Sequence, residues 1–135
     1  MNVLRLEHPE DGLGAYHSFY APPELDSSAG PNRPTFVDEI GEYERKRYYA
    51  DHSGYYFGFQ TMEQVADWFS PCELHALWLS GFRLLRFRVR KGDVLIGGKQ
   101  VAFRRKFYKP VGRIEYDKRR TCKTAEPASC VSAGA

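Results

Sequence analysis

The sequence predicts a single α+β domain, a twisted and mainly antiparallel sheet with two short consecutive helices packed on one face. Three observations predict it. The chain has 135 residues, 42% hydrophobic and 15% aromatic, enough apolar material for one core and too little length for two. Within residues 82–90, Leu85 to Arg90 alternate between apolar and arginine side chains, the period of a half-buried strand. Two helix-start signatures, at Thr61 and Ser70, follow each other within ten residues. The domain is expected to span residues 1–117, with a disordered tail over 118–135 in which Thr, Ala, Ser, Pro and Gly make up most of the residues and apolar periodicity is lacking.

Val3 to His8 alternates loosely and stops at Pro9, which predicts an opening strand over 3–8. Gly12 and Gly14 then make a tight loop. Residues 21–35 hold Pro22, Pro23, Ser27, Ser28, Gly30, Pro31 and Pro34, turn chemistry throughout, and read as a long irregular connection. A short helix is compatible with the mixed pattern between Phe36 and Tyr49. Tyr55 to Phe59 is an aromatic strand. Thr61 with Gln64 opens a helix whose Val65, Trp68, Phe69 and Cys72 share one face. Ser70, Pro71 and Glu73 open the next, with Leu74, Leu77 and Trp78 apolar and Gly81 as its stop.

In the strand that follows, Leu85, Phe87 and Val89 point one way and Arg86, Arg88 and Arg90 the other. The helix face is expected to bury against Leu85, Phe87 and Val89. Residues 94–96 and 99–103 read as a hairpin turned by Gly97 and Gly98 in positive φ, and residues 113–116 as a last strand.

No apolar stretch approaches the ~20 residues of a membrane span, and the N-terminus lacks the apolar run of a signal peptide, so the expected location is the cytoplasm. Cys72, Cys122 and Cys130 are expected to be reduced thiols. The four histidines lack ligand spacing, and no metal centre is expected. The net charge of +3 conceals five Lys/Arg against ten Asp/Glu in residues 1–60, a balance of −5, and fifteen against seven in residues 61–135, a balance of +8. Spatially segregated halves would steer a charged partner; interleaved ones would neutralise each other on one surface.

Residues 83–120 hold fourteen Lys/Arg and three Asp/Glu. The row Arg86, Arg88, Arg90 with nearby Phe103, Phe107 and Tyr108 can grip a nucleic-acid backbone and stack on bases. The competing reading is a solvated sheet face whose charges blunt edge pairing. Gly12-Leu13-Gly14 lacks the third glycine of a phosphate loop and reads as a turn.

The strand with Arg5 and Glu7-His8-Pro9, the Gly12-Leu13-Gly14 loop, the Gly58 to Gln64 helix start and the closing Gly97 to Phe103 segment resemble a group of small phage and prophage proteins. That likeness implies a viral or mobile-element origin and an effect on a host process such as a defence system. The order of elements also resembles a compact ADP-ribosyltransferase. This second resemblance implies that Arg5 or His8 holds NAD, that Tyr56 to Phe59 with Thr61 flank the nicotinamide, and that Gln100 takes the place of the catalytic acid. Glutamine donates and accepts hydrogen bonds but cannot offset the positive charge that develops as nicotinamide leaves. Two classes of function follow: an effector that modifies or binds a host macromolecule, or a non-enzymatic inhibitor of a host protein or protein–nucleic acid complex, of the anti-CRISPR or other anti-defence kind. Direct nucleic-acid binding through the arginine row is a third.

Overall fold

The computed structural model describes residues 1–25 and 33–115. The expected tail and the middle of the long connection lie outside them. The described residues form an α+β domain with three α-helices and six strands, β1 (Asn2–Glu7), α1 (Glu42–Ala50), β2 (Tyr56–Gly58), α2 (Met62–Trp68), α3 (Pro71–Leu79), β3 (Arg83–Arg88), β4 (Val94–Ile96), β5 (Val101–Phe103) and β6 (Gly112–Ile114). The strands expected in one sheet divide into two antiparallel sheets, ordered β1-β3-β6 and β2-β5-β4.

Among the described residues, backbone hydrogen bonds join the sheets at one seam. Leu4 and Phe59 exchange two backbone hydrogen bonds of 2.7 Å each, and beyond this bridge β1 and β2 part. The approach is close because Gly58 has no side chain: a Cβ there would stand 2.7 Å from the Leu4 carbonyl oxygen and 2.8 Å from Val3 Cγ1, inside van der Waals contact.

Strand alternation sorts the core into three regions. Val3 of β1 packs with Phe87, Val89, Val94, Val101 and Phe103 between the two sheets. Leu4 and Leu6 point to the opposite face and meet Phe59, Val65, Trp68, Phe69, Leu77 and Phe82 under α2 and α3. Phe36, Ile40 and Tyr55 cover Leu95 and Ala102 on the outer side of the second sheet. The helix pair therefore does not pack on Leu85, Phe87 and Val89. It covers the other face of β3, through Phe82 and Leu84, the face that carries Arg86 and Arg88 farther along. A strand presents one face to each layer, and both faces of β3 are apolar where layers cover them.

Both capping boxes form. The Thr61 and Ser70 side chains each accept the backbone N–H three residues on, and Gln64 and Glu73 reach back to the cap. Gly81 ends α3 at φ +98°, with Phe82 N donating to Leu77 O at 3.0 Å, the left-handed stop that glycine allows. Gly97 and Gly98 differ from expectation. The hairpin between β4 and β5 is present, but neither glycine has positive φ; Gly97 is required because a Cβ would stand 2.8 Å from Gln100 O and 3.1 Å from Glu39. The 36–49 region is a short 3-10 turn, Phe36–Glu39, followed by α1, which buries no residue fully. Cys72 is disulfide-bonded, which corrects the expectation of three reduced thiols; Cys122 and Cys130 lie outside the described residues. No helix among the described residues is long and apolar enough to cross a membrane.

Candidate functional site

Where β1 and β2 separate, Arg5 enters the gap. Its Nη1 donates to the Phe57 carbonyl at 2.8 Å and its Nε to Glu7 Oε1 at 2.9 Å, while the guanidinium lies 4.9 Å from the Tyr56 ring centroid. Phe57 O thereby finds a donor at the split edge, where the strand ladder no longer supplies one. The pairing was visible in the sequence as opposite charges at i and i+2 of a strand, which share a face. Glu7 also accepts from Arg105, Nε at 2.6 Å and Nη2 at 3.1 Å. Two guanidiniums thus share one buried carboxylate, and the cluster carries a surplus positive charge. Burial lowers the Arg5 pKa, Glu7 opposes that shift and Arg105 adds to it; the group stays protonated.

Above this cluster lies a cavity of about 410 Å³, within the range that holds small ligands. Arg5, Leu6, Phe57 and Phe59 contribute from the strands, Gly14 to His17 from the loop after β1, Trp68 and Phe69 from the end of α2, Thr35 to Val37 and Tyr48 and Tyr49 from the connection and α1, and Gln100 from the start of β5. Aromatic rings dominate the wall, and no carboxylate lines it among the described residues. Phe36 stands 5.6 Å from both Tyr48 and Phe57, and Phe59 stands 5.8 Å from Trp68. Partial burial raises the Tyr48 phenol, with Tyr49 adding to the effect, so this hydroxyl remains a donor at neutral pH.

The loop wall is held from below. Asp11 accepts from Leu13 N at 3.0 Å, Ser18 Oγ at 2.8 Å and Phe19 N at 3.0 Å. Desolvation alone would raise the Asp11 pKa, but these hydrogen bonds and nearby His8 together lower it. Gly12, at φ +67°, turns the loop so that Gly14 pairs with Glu7. The Trp68 indole donates to Tyr16 Oη at 2.9 Å, closing the wall against α2.

Three of the residues singled out from the sequence, Arg5, Phe59 and Gln100, meet in this cavity. Three others do not line it. His8 is buried outside the cavity, its Nε2 2.9 Å from Ser80 O, its Nδ1 accepting from Glu10 N at 3.1 Å, and its ring stacked on Tyr20; it ties the end of β1 to the turn after α3. Tyr56 stacks on the far side of Arg5, and Thr61 is the cap of α2. Arg86, Arg88 and Arg90 are exposed. Arg90 has a 3.9 Å ion pair with Asp93, and Arg86 and Arg88 have none among the described residues.

Sequence reasoning missed Glu39 and the rings of Tyr16, Phe36, Tyr48 and Trp68 as cavity neighbours. Trp68 was read as core, which its 8% exposure bears out. Glu39 lies sixty-one residues before Gln100, and no spacing rule joins them.

A family model described as bacteriophage T4 Y00F protein matches residues 1–117. The chain belongs to that phage protein family. Neither the curated proteins nor the solved structures contain a match to it. The phage affiliation expected from the sequence therefore stands, while the family's description carries no activity and does not support the expected likeness to ADP-ribosyltransferases.

Proposed function

We propose that this phage protein binds an NAD-type dinucleotide in the cavity at the sheet split and, in the manner of an ADP-ribosyltransferase-like effector, modifies or binds a host macromolecule, a component of host defence being the expected target. The observation that carries this reading is the meeting of Arg5, Phe59 and Gln100, fifty-four and forty-one residues apart in sequence, on one aromatic-walled cavity. Planar rings offer stacking surface to nicotinamide or adenine. The surplus positive charge of the Arg5, Glu7 and Arg105 cluster suits a pyrophosphate. Gln100 offers a hydrogen-bonding amide to a ribose hydroxyl. An amide supplies no negative charge to a developing oxocarbenium ion, so this residue favours binding over rapid turnover. Calorimetry with NAD and incubation of the protein with labelled NAD and host extract test the reading. Saturable heat supports it, label transfer adds the enzymatic version, and the absence of both retires it.

A second reading, an electrostatic blocker of a host protein or protein–nucleic acid complex, is favoured by the exposed Arg86, Arg88 and Arg90, two of which have no ion-pair partner among the described residues. Affinity purification from host lysate across a salt series tests it, because such a contact weakens as salt screens it. A mobility shift comparing wild type with the triple alanine variant separates nucleic acid from protein as the partner. Equal binding by both would clear those arginines.

A further inference from the structure

Gln100 is 6% exposed, and both protons of its amide nitrogen are used. Nε2 donates to Pro34 O at 3.1 Å and to Glu39 Oε2 at 2.9 Å. The second contact settles which end of the amide is which, since a carbonyl oxygen would not face a carboxylate. Glu39 is itself held, because its Oε1 accepts the backbone N–H of Lys99, the residue before Gln100. One carboxylate thus grips the strand start by its main chain and its side chain together. Among the described residues the Gln100 Oε1 makes no hydrogen bond, and none of their buried side-chain nitrogens or oxygens lacks a partner. This oxygen is therefore open to free space, and the free space Gln100 lines is the cavity.

We infer that Glu39 is a positioning residue that locks the Gln100 amide with its carbonyl toward the cavity, so that this side chain accepts hydrogen bonds from the cavity and cannot donate them. An unheld glutamine presents either end of its amide and discriminates poorly between donors and acceptors on a ligand; a held one selects a hydroxyl or amino donor. On the reading of the cavity as a dinucleotide site, on which this consequence rests, the selected group is a hydroxyl of the nicotinamide ribose. The same contact accounts for an amide rather than an acid at position 100. A carboxylate there would sit hydrogen-bond distance from Glu39, and two such groups cannot both ionise without a large cost.

Two readouts separate the parts of this proposal. In nitrogen-15 spectra of the full chain, the paired Gln100 side-chain amide protons are expected to be resolved and slow to exchange. Glu39→Gln offers one acceptor where Glu39 has two, and Glu39→Asp draws the carboxylate back by one methylene; both are expected to move those resonances and speed their exchange. With NAD as the probe, both variants are expected to bind about tenfold more weakly, the loss of one oriented hydrogen bond worth ~1.4 kcal/mol. NAD lacking the 2′-hydroxyl of the nicotinamide ribose is expected to bind wild type and variants alike. Gln100 resonances indifferent to both substitutions would overturn the positioning role, whatever the binding data. Resonances that respond in a protein that binds no NAD would leave the positioning role standing and discard the dinucleotide. Thermal melts of each variant report whether it is folded, and Glu39→Asp keeps the charge if Glu39→Gln does not fold.

Discussion

Replacing Gly58 with alanine tests the seam on which the site depends. The added methyl would stand 2.7 Å from Leu4 O and 2.8 Å from Val3 Cγ1. Leu4 O is a backbone atom that already accepts from Phe59 N, and Val3 is fully buried, so neither can step aside cheaply. The strands must separate. Two seam hydrogen bonds of about 0.5–1.5 kcal/mol each are weakened, and forcing a methyl into a packed core costs about 1–3 kcal/mol. The reduced entropy of the unfolded chain returns about 0.4–1 kcal/mol. A net loss of about 2–4 kcal/mol is expected, which lowers the urea midpoint by roughly 1–2 M for a slope near 2 kcal/mol/M. Gly98→Ala is the control, because its nearest atom would be Glu39 Oε1 at an ordinary 3.7 Å. A Gly58→Ala midpoint within the error of Gly98→Ala would refute the close-approach argument, and with it the account of how Arg5 comes to fill the split.

Trp68→Ala should destabilise by about 3–5 kcal/mol as a core deletion, and a near-wild-type melting temperature would remove the residue from the core. Arg5→Met leaves Phe57 O without its donor and Glu7 with Arg105 alone; a loss of about 2–4 kcal/mol by urea unfolding is expected, and NAD binding unchanged in a folded Arg5→Met protein would argue against the cationic cluster as the anion contact. Asp11, whose folded pKa is depressed, contributes stability above its unfolded pKa of about 3.9 and loses it as pH falls through the lower folded value. Protection of the Leu13 and Phe19 amides, corrected for the intrinsic pH dependence of exchange, should therefore fall below about pH 4, while an Asp11→Asn protein shows no such acid dependence. The triple Arg86, Arg88, Arg90 alanine variant should melt near wild type, since exposed substitutions usually stay within about 0.5 kcal/mol each; a large drop would mean the row is structural.

The elements that rest on local rules were legible in the residues. Thr61 with Gln64 and Ser70 with Glu73 satisfy helix-end donors within four residues, so their chemistry is written side by side. Alternation placed Arg86, Arg88 and Arg90 outward and Phe87 and Val89 inward, because a strand's pleat is a property of the strand alone. The sharing of a face by Arg5 and Glu7 follows from the same period of two.

Which layer each face meets, however, is decided between elements. That the helices cover Leu84 rather than Phe87, that six strands part into two sheets at Leu4 and Phe59, and that Gly97 makes room for Glu39 without any positive φ all depend on segments distant in the chain. The cavity belongs to this second kind. Arg5, Phe59 and Gln100 carry individual chemistry that the sequence displays, but their meeting, and the grip of Glu39 on Gln100, exist only once the split sheet brings strand ends together. Local propensity reaches a few residues along the backbone, whereas a site assembled from β1, β2 and β5 is held by contacts that span nearly a hundred.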